Sequence, residues 1–485
     1  MDRLILYLIS KALFNCAGLM LIPFIYSISI GTYDTTGVFG KAIFIILLTG
    51  IFIRRKSAQH GDSLSVTGGA AFLFVVWTAL AMAGALPYYI GGQLDGPSAF
   101  MESLSGFTTT GYTNLLDLKE PSLVLWRSLT QWIGGGLVLM FIATILPAVN
   151  GLFGISFAMP VALRTGVISL KRIKDTIRRL MLIYSLITLI GILCFYMAGL
   201  EVYDAVNYSL VIISTGGCYF SDTYLYDDFW FAVFVTLGLI AAGCNIMIYW
   251  QALKTKKTAL LRKNLQNSES QIFILMILLL GLIIGAHLCY SSYYNLIDSL
   301  WYGFLGVAMY AGTISAYPME ILSWPDFDKL ILIIVACVGG CIGSLAGGFK
   351  ILRLMILFKS CSHELTRTIH PDIVMTTKID GRIVPPALIN RIFGLFFIVL
   401  ISVSLSIVVV STAGLSMQQA TDIVIGCITS TGAIMYFHTG TAILFSLPVY
   451  IKLFCCFLMV LGKIDFFAFL LLIYSFRDHL LNERW

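Results

Sequence analysis

Charge is scarce in this sequence. Asp, Glu, Lys and Arg together supply 12% of the 485 residues, hydrophobic residues supply 59%, and the mean hydropathy is +0.91. Such a chain falls outside the range of ordinary soluble domains and reads as an integral membrane protein. Other features are missing too. The eleven cysteines form no CxxC pair and have no histidine at metal-ligand spacing, so they read as free thiols, and no transition-metal site is expected. "GGFKILR" carries glycines and a lysine without the spacing of a phosphate-binding loop, so the chain is expected to bind no nucleotide or other cofactor. His363, Glu364 and His370, in "SHELTRTIHPD", read as part of a solvated loop rather than a metal site. No Ser/His/Asp or paired-carboxylate arrangement is present, and acidic residues in the apolar runs are too few for a proton relay. An enzyme is therefore not expected, and a membrane-embedded lipid-modifying enzyme stays a remote alternative. The first apolar segment, Leu4 to Ile30, is too long for a signal-peptide core and lacks a small-residue cleavage site, which makes it a retained helix.

Apolar runs of membrane-crossing length recur from end to end, among them Phe72 to Leu86, Leu180 to Ala198, Ile272 to His287 and Phe393 to Val410 with their flanks. Basic residues punctuate them in clusters: Arg54 to Lys56, Lys171 to Arg179, Lys254 to Lys263, and between Lys350 and Arg391. The net charge of +6 is thereby concentrated as expected for cytoplasmic loops of a chain orienting itself in a bilayer, not spread as for a nucleic-acid partner. An even number of crossings must separate such clusters, which puts both termini in the cytoplasm. Two helices precede the first cluster. Each later interval holds two spans with a shorter, ambiguous segment between them.

The four short segments look alike: "PSAFMESLSGFTTTGYT", "YDAVNYSLVIISTGGCYF", "IDSLWYGFLGVAMYAGTIS" and "QATDIVIGCITSTGAIM". Ala99 to Gly111, Ala205 to Gly217 and Ala420 to Gly432 are each twelve residues apart, and Ser299 to Gly312 thirteen. This internal repeat predicts an all-α polytopic fold with two leading helices (1–56) and four span–pore-loop–span repeats (57–163, 164–263, 264–370 and 371–485) around a central pore. Non-helical backbone survives at membrane depth only when it is buried in protein or lines a wet cavity. Four short helices pointing their partly negative C-terminal ends at one axis would favour a cation there, and the hydroxyl and glycine residues that follow would turn carbonyl oxygens inward. "FTTTGYT" then reads as one quarter of a selectivity filter for a dehydrated monovalent cation.

These stretches also resemble a known family. "ALPYYIGG", "AFMESLSGFTTTGYT", "LWRSLTQWIGGGLVLMFIATILP", "STGG" with "AAGCNIMIYWQALK", "GGCIGSLAGGFKILR", and "TSTGA" with "VLGKIDFFAFLLL" are similar, in order, to motifs of the potassium-translocating subunits of the Trk/Ktr/HKT superfamily, most closely the bacterial TrkH type. The resemblance implies potassium uptake across the bacterial inner membrane through a pore made by one polypeptide. It also implies a homodimer and a cytosolic, nucleotide-binding TrkA-type RCK ring docked on the inner face. On the same basis Gly111, Gly217 and Gly432 are the expected filter glycines, with Thr109, Thr110, Thr215, Gly216, Ser430 and Thr431 supplying neighbouring oxygens to potassium.

Two departures from the family matter. Its third filter segment usually has a threonine-rich triplet, whereas this chain has "MYAGTISAYP". Counting along the short helix selects Gly312, with Ala311 before it; counting back from "SWPDF" selects Ser315. Gly312 is the preferred expectation because glycine meets the fourfold backbone requirement. Related proteins with serine at a filter glycine tend to admit sodium, so a sodium-permeable or cation-coupled symporter of the same fold is the alternative. The last span carries Lys463 where the family commonly has arginine. A lysine there is expensive unless it faces the pore, snorkels or pairs with Asp465. Its expected neighbour is the stretch Val338 to Gly348, where Gly339, Gly340, Gly343, Ser344, Ala346, Gly347 and Gly348 would break a helix into a loop below the filter. In the family such a loop is the gate; the rival reading is that these small residues allow close helix packing.

Overall fold

The computed structural model describes residues 3–57, 63–115, 120–144, 167–217, 229–246, 249, 267–315, 319–373, 375–464, 466, 469–470 and 473. The basic stretch Lys254 to Lys263, Asp465 and both chain ends lie outside them. Six described helices are long and apolar enough to cross a membrane: Arg3–Ile30, Tyr33–Arg55, Ala71–Ile90, Lys174–Met197, Ser268–Tyr290 and Pro386–Ser411. At 1.5 Å per residue the 28-residue Arg3–Ile30 helix extends about 42 Å, more than the ~30 Å hydrocarbon thickness of a bilayer. These helices bury one stripe and leave apolar side chains such as Leu275, Leu278, Leu279 and Leu282 exposed, as a lipid-facing surface requires.

The Arg3–Ile30 and Tyr33–Arg55 helices pack on each other across a tight turn in which Gly31 takes a left-handed conformation (φ 81°). After them, four short helices, Gly96–Phe107, Val202–Ile213, Leu296–Ala311 and Met417–Thr429, each pack against the long helix that precedes them. Local chemistry starts them. Pro97 opens the first, and Ser416 caps the fourth in a capping box in which Ser416 Oγ accepts from Gln419 N–H at 3.3 Å and Gln419 Oε1 from Ser416 N–H at 3.0 Å. Small residues let them sit deep: Ala99, Ala205 and Ala420 are fully buried. In the third, Gly303 takes this place, where a Cβ would come within 2.7 Å of Gly285 N. Second helices then leave each short segment: Pro121–Thr144, Phe229–Gly243, Asp326–Val338 and Val449–Ile464. The helix begun at Asp326 stops at Val338 and resumes only at Ile351–Ile369. The small residues between them thus form a loop and are not a helix-packing stripe. Two small ribbons, Ser63–Ser65 with Val167–Ser169 and Lys378–Ile379 with Arg382–Ile383, and three short helical turns, Met319–Ser323, Gly432–Tyr436 and Thr441–Phe445, complete the described secondary structure.

Candidate functional site

The four short helices end in the same way. Thr109, Thr215, Thr313 and Ser430 take left-handed φ values of 51°, 56°, 52° and 57°. The next residue in each, Thr110, Gly216, Ile314 or Thr431, donates its N–H five residues back, to Ser105, Val211, Met309 or Gly426 carbonyls at 2.9–3.0 Å. This is the hydrogen-bond pattern of a left-handed helix C-cap, a place normally given to glycine. Side chains held there cost on the order of 1–3 kcal/mol each and persist only where the surroundings impose them, often at functional sites.

Two residues beyond each left-handed cap, the chains meet. Gly217 and Ser315 pair as a parallel bridge, and a Cβ on Gly111 would lie 2.7 Å from Ser315 Cβ and 2.9 Å from Gly217 Cα. Gly432 completes the level, its N–H donating to Thr110 O at 2.7 Å. The third segment's counterpart of the three glycines is therefore Ser315. The expectation of Gly312 and Ala311 is corrected: Gly312 caps its helix in the right-handed region (φ −76°, ψ −4°), level with Thr108, Ser214 and Thr429. The reason is length. The third short helix has 16 residues against 12 or 13 in the others. This extra turn at its N-terminal end displaces a count made from Ser299.

Two carbonyls beside this level are engaged by other segments. Thr110 O accepts from Gly432 N–H and also from Ser315 Oγ, and Gly216 O accepts from Ser315 N–H at 2.7 Å. Gln131, from the helix behind, brackets Gly217, donating to its carbonyl at 2.7 Å and accepting from its N–H at 2.9 Å.

On the side away from the Gly339–Phe349 loop a buried charged group braces the first segment. Glu102 accepts from Thr113 Oγ1 at 2.7 Å and Asn114 N–H at 2.8 Å; Arg127 donates to Thr113 Oγ1 at 3.1 Å and Leu115 O at 3.0 Å, 4.0 Å from Glu102. Tyr436 reaches across from the fourth segment, donating to Thr113 O at 2.5 Å, with its ring stacked on Tyr112. Sequence reading had not singled out Glu102, Arg127, Gln131 or Tyr436. Glu102 and Arg127 could have been noticed as opposite charges within apolar runs; Gln131 and Tyr436 carry no comparable signal.

On the opposite side the left-handed residues meet the Gly339–Phe349 loop. Thr215 Oγ1 donates to Leu345 O at 3.1 Å, Gly347 N–H donates to Thr313 Oγ1 at 2.7 Å, and a Cβ on Gly347 would lie 3.2 Å from Ser430 Cβ. Lys463, buried, donates to Thr109 Oγ1 at 2.6 Å and Leu345 O at 3.0 Å. It reaches this depth because Gly462 beside it carries no side chain: a Cβ there would lie 2.9 Å from Ile428 Cα. The loop bends through left-handed Gly339, Gly343 and Gly348, and is anchored from below by Cys341 N–H on Gly243 O at 3.0 Å and Ile246 N–H on Gly343 O at 3.2 Å. Gly340, Ser344 and Ala346 lie within it, and Lys350 Nζ donates to Ala346 O and, at 3.3 Å, to Ser344 Oγ. His363, away from this centre, is bonded to Thr377 Oγ1 at 3.2 Å.

Comparison with known proteins follows the same lines. Residues 35–288 and 318–477 match the family described as TrkH, cation transport protein. The chain is 29% identical over 393 residues, 78% of its length and 80% of the relative's, to the Trk system potassium uptake protein TrkH of Escherichia coli (strain K12). It is 24% identical over 450 residues, 90% of its length and 92% of the relative's, to the Trk system potassium uptake protein TrkG of the same organism. The crystal structure of the potassium transporter TrkH from Vibrio parahaemolyticus has the same fold, with a TM-score of 0.86 over 97% of this chain and 98% of that one at 24% identity.

Proposed function

The chain belongs to the TrkH family of cation transport proteins, and on that premise we propose that it takes up potassium across a bacterial inner membrane through a filter formed by Thr109–Gly111, Thr215–Gly217, Thr313–Ser315 and Ser430–Gly432. The observation that carries this reading is the repeated left-handed cap, which brings four helix C-termini and their hydroxyls to one axis. Helix C-termini and inward oxygens favour a cation without burying a fixed anion. A carbonyl that accepts an N–H can equally accept potassium, so conduction would exchange the bonds on Thr110 O and Gly216 O for contacts with the ion.

The Gly339–Phe349 loop is the gate in this reading. It presses on hydroxyls of the filter ends, and Lys463 places a positive charge at the point where a cation would leave. Displacing the loop would open the inner side. We further assign the chain two leading helices and four repeats with the boundaries 57–163, 164–263, 264–370 and 371–485, both termini in the cytoplasm, a homodimeric assembly, and a TrkA-type nucleotide-binding ring as the cytosolic partner that moves the loop. Potassium is the substrate in this scheme, and the chain needs no bound cofactor.

Ser315 favours a second reading, in which sodium also passes. Its hydroxyl gives Thr110 O, which already accepts from Gly432 N–H, a second donor that a glycine at this position would not supply, and such a change weakens a potassium-sized oxygen cage. Reversal potentials of the purified protein in vesicles, with potassium and sodium on opposite sides, separate the two. Potentials following the potassium gradient support the first reading, equal permeability supports the second, and no cation flux with or without the cytosolic ring would overturn both.

A further inference from the structure

A cavity of about 550 Å³ lies beside the loop, within the size range of small-molecule sites. Its floor is Gly343, Ser344 and Ala346 to Phe349, and Lys463 lines its inner end. Its walls are mostly apolar, with Ile142 from one side, Ile334 from the Asp326–Val338 helix, Leu400 and Val403 from the Pro386–Ser411 helix, and Ile425 and Ile428 from the fourth short helix, while Lys350 and Arg353 line it where the loop ends.

Two wall residues identify what it faces. Ile334 is 52% exposed and Leu400 51%, so the cavity opens sideways between their helices, on the outer surface of the protein. Its residues on the 26-residue Pro386–Ser411 helix run from Phe396 to Ser404, about 15 Å from the helix start and about 10 Å from its end at 1.5 Å per residue, so they lie well inside the span. A mouth at that depth meets hydrocarbon and not water. Water against the apolar part of this lining would lack hydrogen-bond partners, whereas a methylene chain packs against it.

We propose that the cavity is a binding site for one acyl chain of a membrane phospholipid, which enters between Ile334 and Leu400 and lies against the back of the Gly343–Phe349 loop. The chain and the loop share one wall, so the occupant supports the loop in its seat beneath the left-handed residues. The inference rests on the membrane setting of the chain and not on which ion it carries, so its test does not depend on flux.

The full-length protein is reconstituted in vesicles of phosphatidylethanolamine and phosphatidylglycerol containing a trace of phosphatidylcholine with a diazirine at the middle of one acyl chain. After irradiation, adducts are mapped by mass spectrometry. Adducts on the peptides bearing Val403 and Ile425 should exceed severalfold those on the lipid-facing Leu278 to Leu282 stretch, and the Val403→Trp/Ile425→Trp double variant should lose the first set while keeping the second. Retention of the second set shows that the variant is inserted and folded; if it is lost, the single variant Val403→Trp repeats the test with a smaller perturbation. Labelling no greater in the cavity than on the outer surface, labelling that survives filling, or cross-links between two copies through Ile334 and Leu400 in place of lipid adducts would each overturn the proposal.

Discussion

Lys463 Nζ stands 2.6 Å from the hydroxyl of Thr109, a residue 354 positions earlier that is itself held in a left-handed conformation. Lys463 also holds Leu345 O of the loop. One buried lysine therefore joins the end of the first short segment to the loop beneath it. Lys463→Gln keeps a donor but removes the charge. Flux at saturating potassium, normalised to protein in the membrane, should rise severalfold, and shortening the loop within Gly343 to Gly347 should raise it further. The two effects should be less than additive, because both release one barrier. Unchanged flux in both single variants would place the barrier elsewhere.

Ser315 sets the second expectation. Ser315→Gly frees Thr110 O from the serine hydroxyl and gives the level four glycines. Potassium-over-sodium discrimination should increase by about tenfold, equivalent to about 1.4 kcal/mol. The reverse changes, Gly111→Ser, Gly217→Ser and Gly432→Ser, should each lower it. Gly111→Ser and Gly217→Ser have in addition to displace Ser315, whose Cβ lies 2.7 Å from the atom added at Gly111 and closer still to the one added at Gly217. Wild-type permeability ratios in all four variants would remove these residues from the ion path.

The Glu102–Arg127 brace predicts a stability effect with a selectivity signature. Removing one partner of a buried, hydrogen-bonded pair leaves the other charge uncompensated, typically at a cost of about 3–5 kcal/mol. Glu102→Ala should therefore lower the thermal midpoint in detergent. Glu102→Gln, which retains an acceptor for Thr113 and Asn114, should lose less. In both, the first segment loses its outer support, and the potassium-to-sodium ratio should fall before flux disappears. A stable Glu102→Ala protein of unchanged selectivity would make the brace irrelevant to the proposed filter.

Arg178 and Arg179 are exposed on the Leu170–Met197 helix, near the end expected to face the cytoplasm. If they meet the cytosolic ring, Arg178→Glu/Arg179→Glu should weaken its binding. The wild-type interaction should also weaken with salt, since charges across such a surface act within about 8 Å at physiological ionic strength. Binding indifferent to both changes would leave these residues with orientation of the chain alone.

Much of this was legible in local sequence. "FTTTGYT" and "STGG" place hydroxyl and glycine residues after an apolar turn, and the structure makes left-handed caps at Thr109 and Thr215. The run from Val338 to Gly348 carries too many small residues for a stable span and is indeed a loop. The third segment was misread because its register was counted along a helix that proved one turn longer. Nothing within "LIDSLWYGFLGVAMYAG" states where the helix starts relative to its neighbours.

Apolar runs and cap-forming residues act over a few positions, through burial in lipid and hydrogen bonds within one turn, so the sequence by itself determined the spans, the short helices and the break below them. Which groups meet at the axis was decided only by tertiary packing. Gln131 reaches Gly217 across 86 positions, Ser315 reaches Thr110 across 205, and Tyr436 reaches Thr113 across 323. Each of those partners has other polar groups it could have bonded, and what selects among them is the simultaneous convergence of four separate segments on space too tight at Gly111 and Gly217 to admit another side chain.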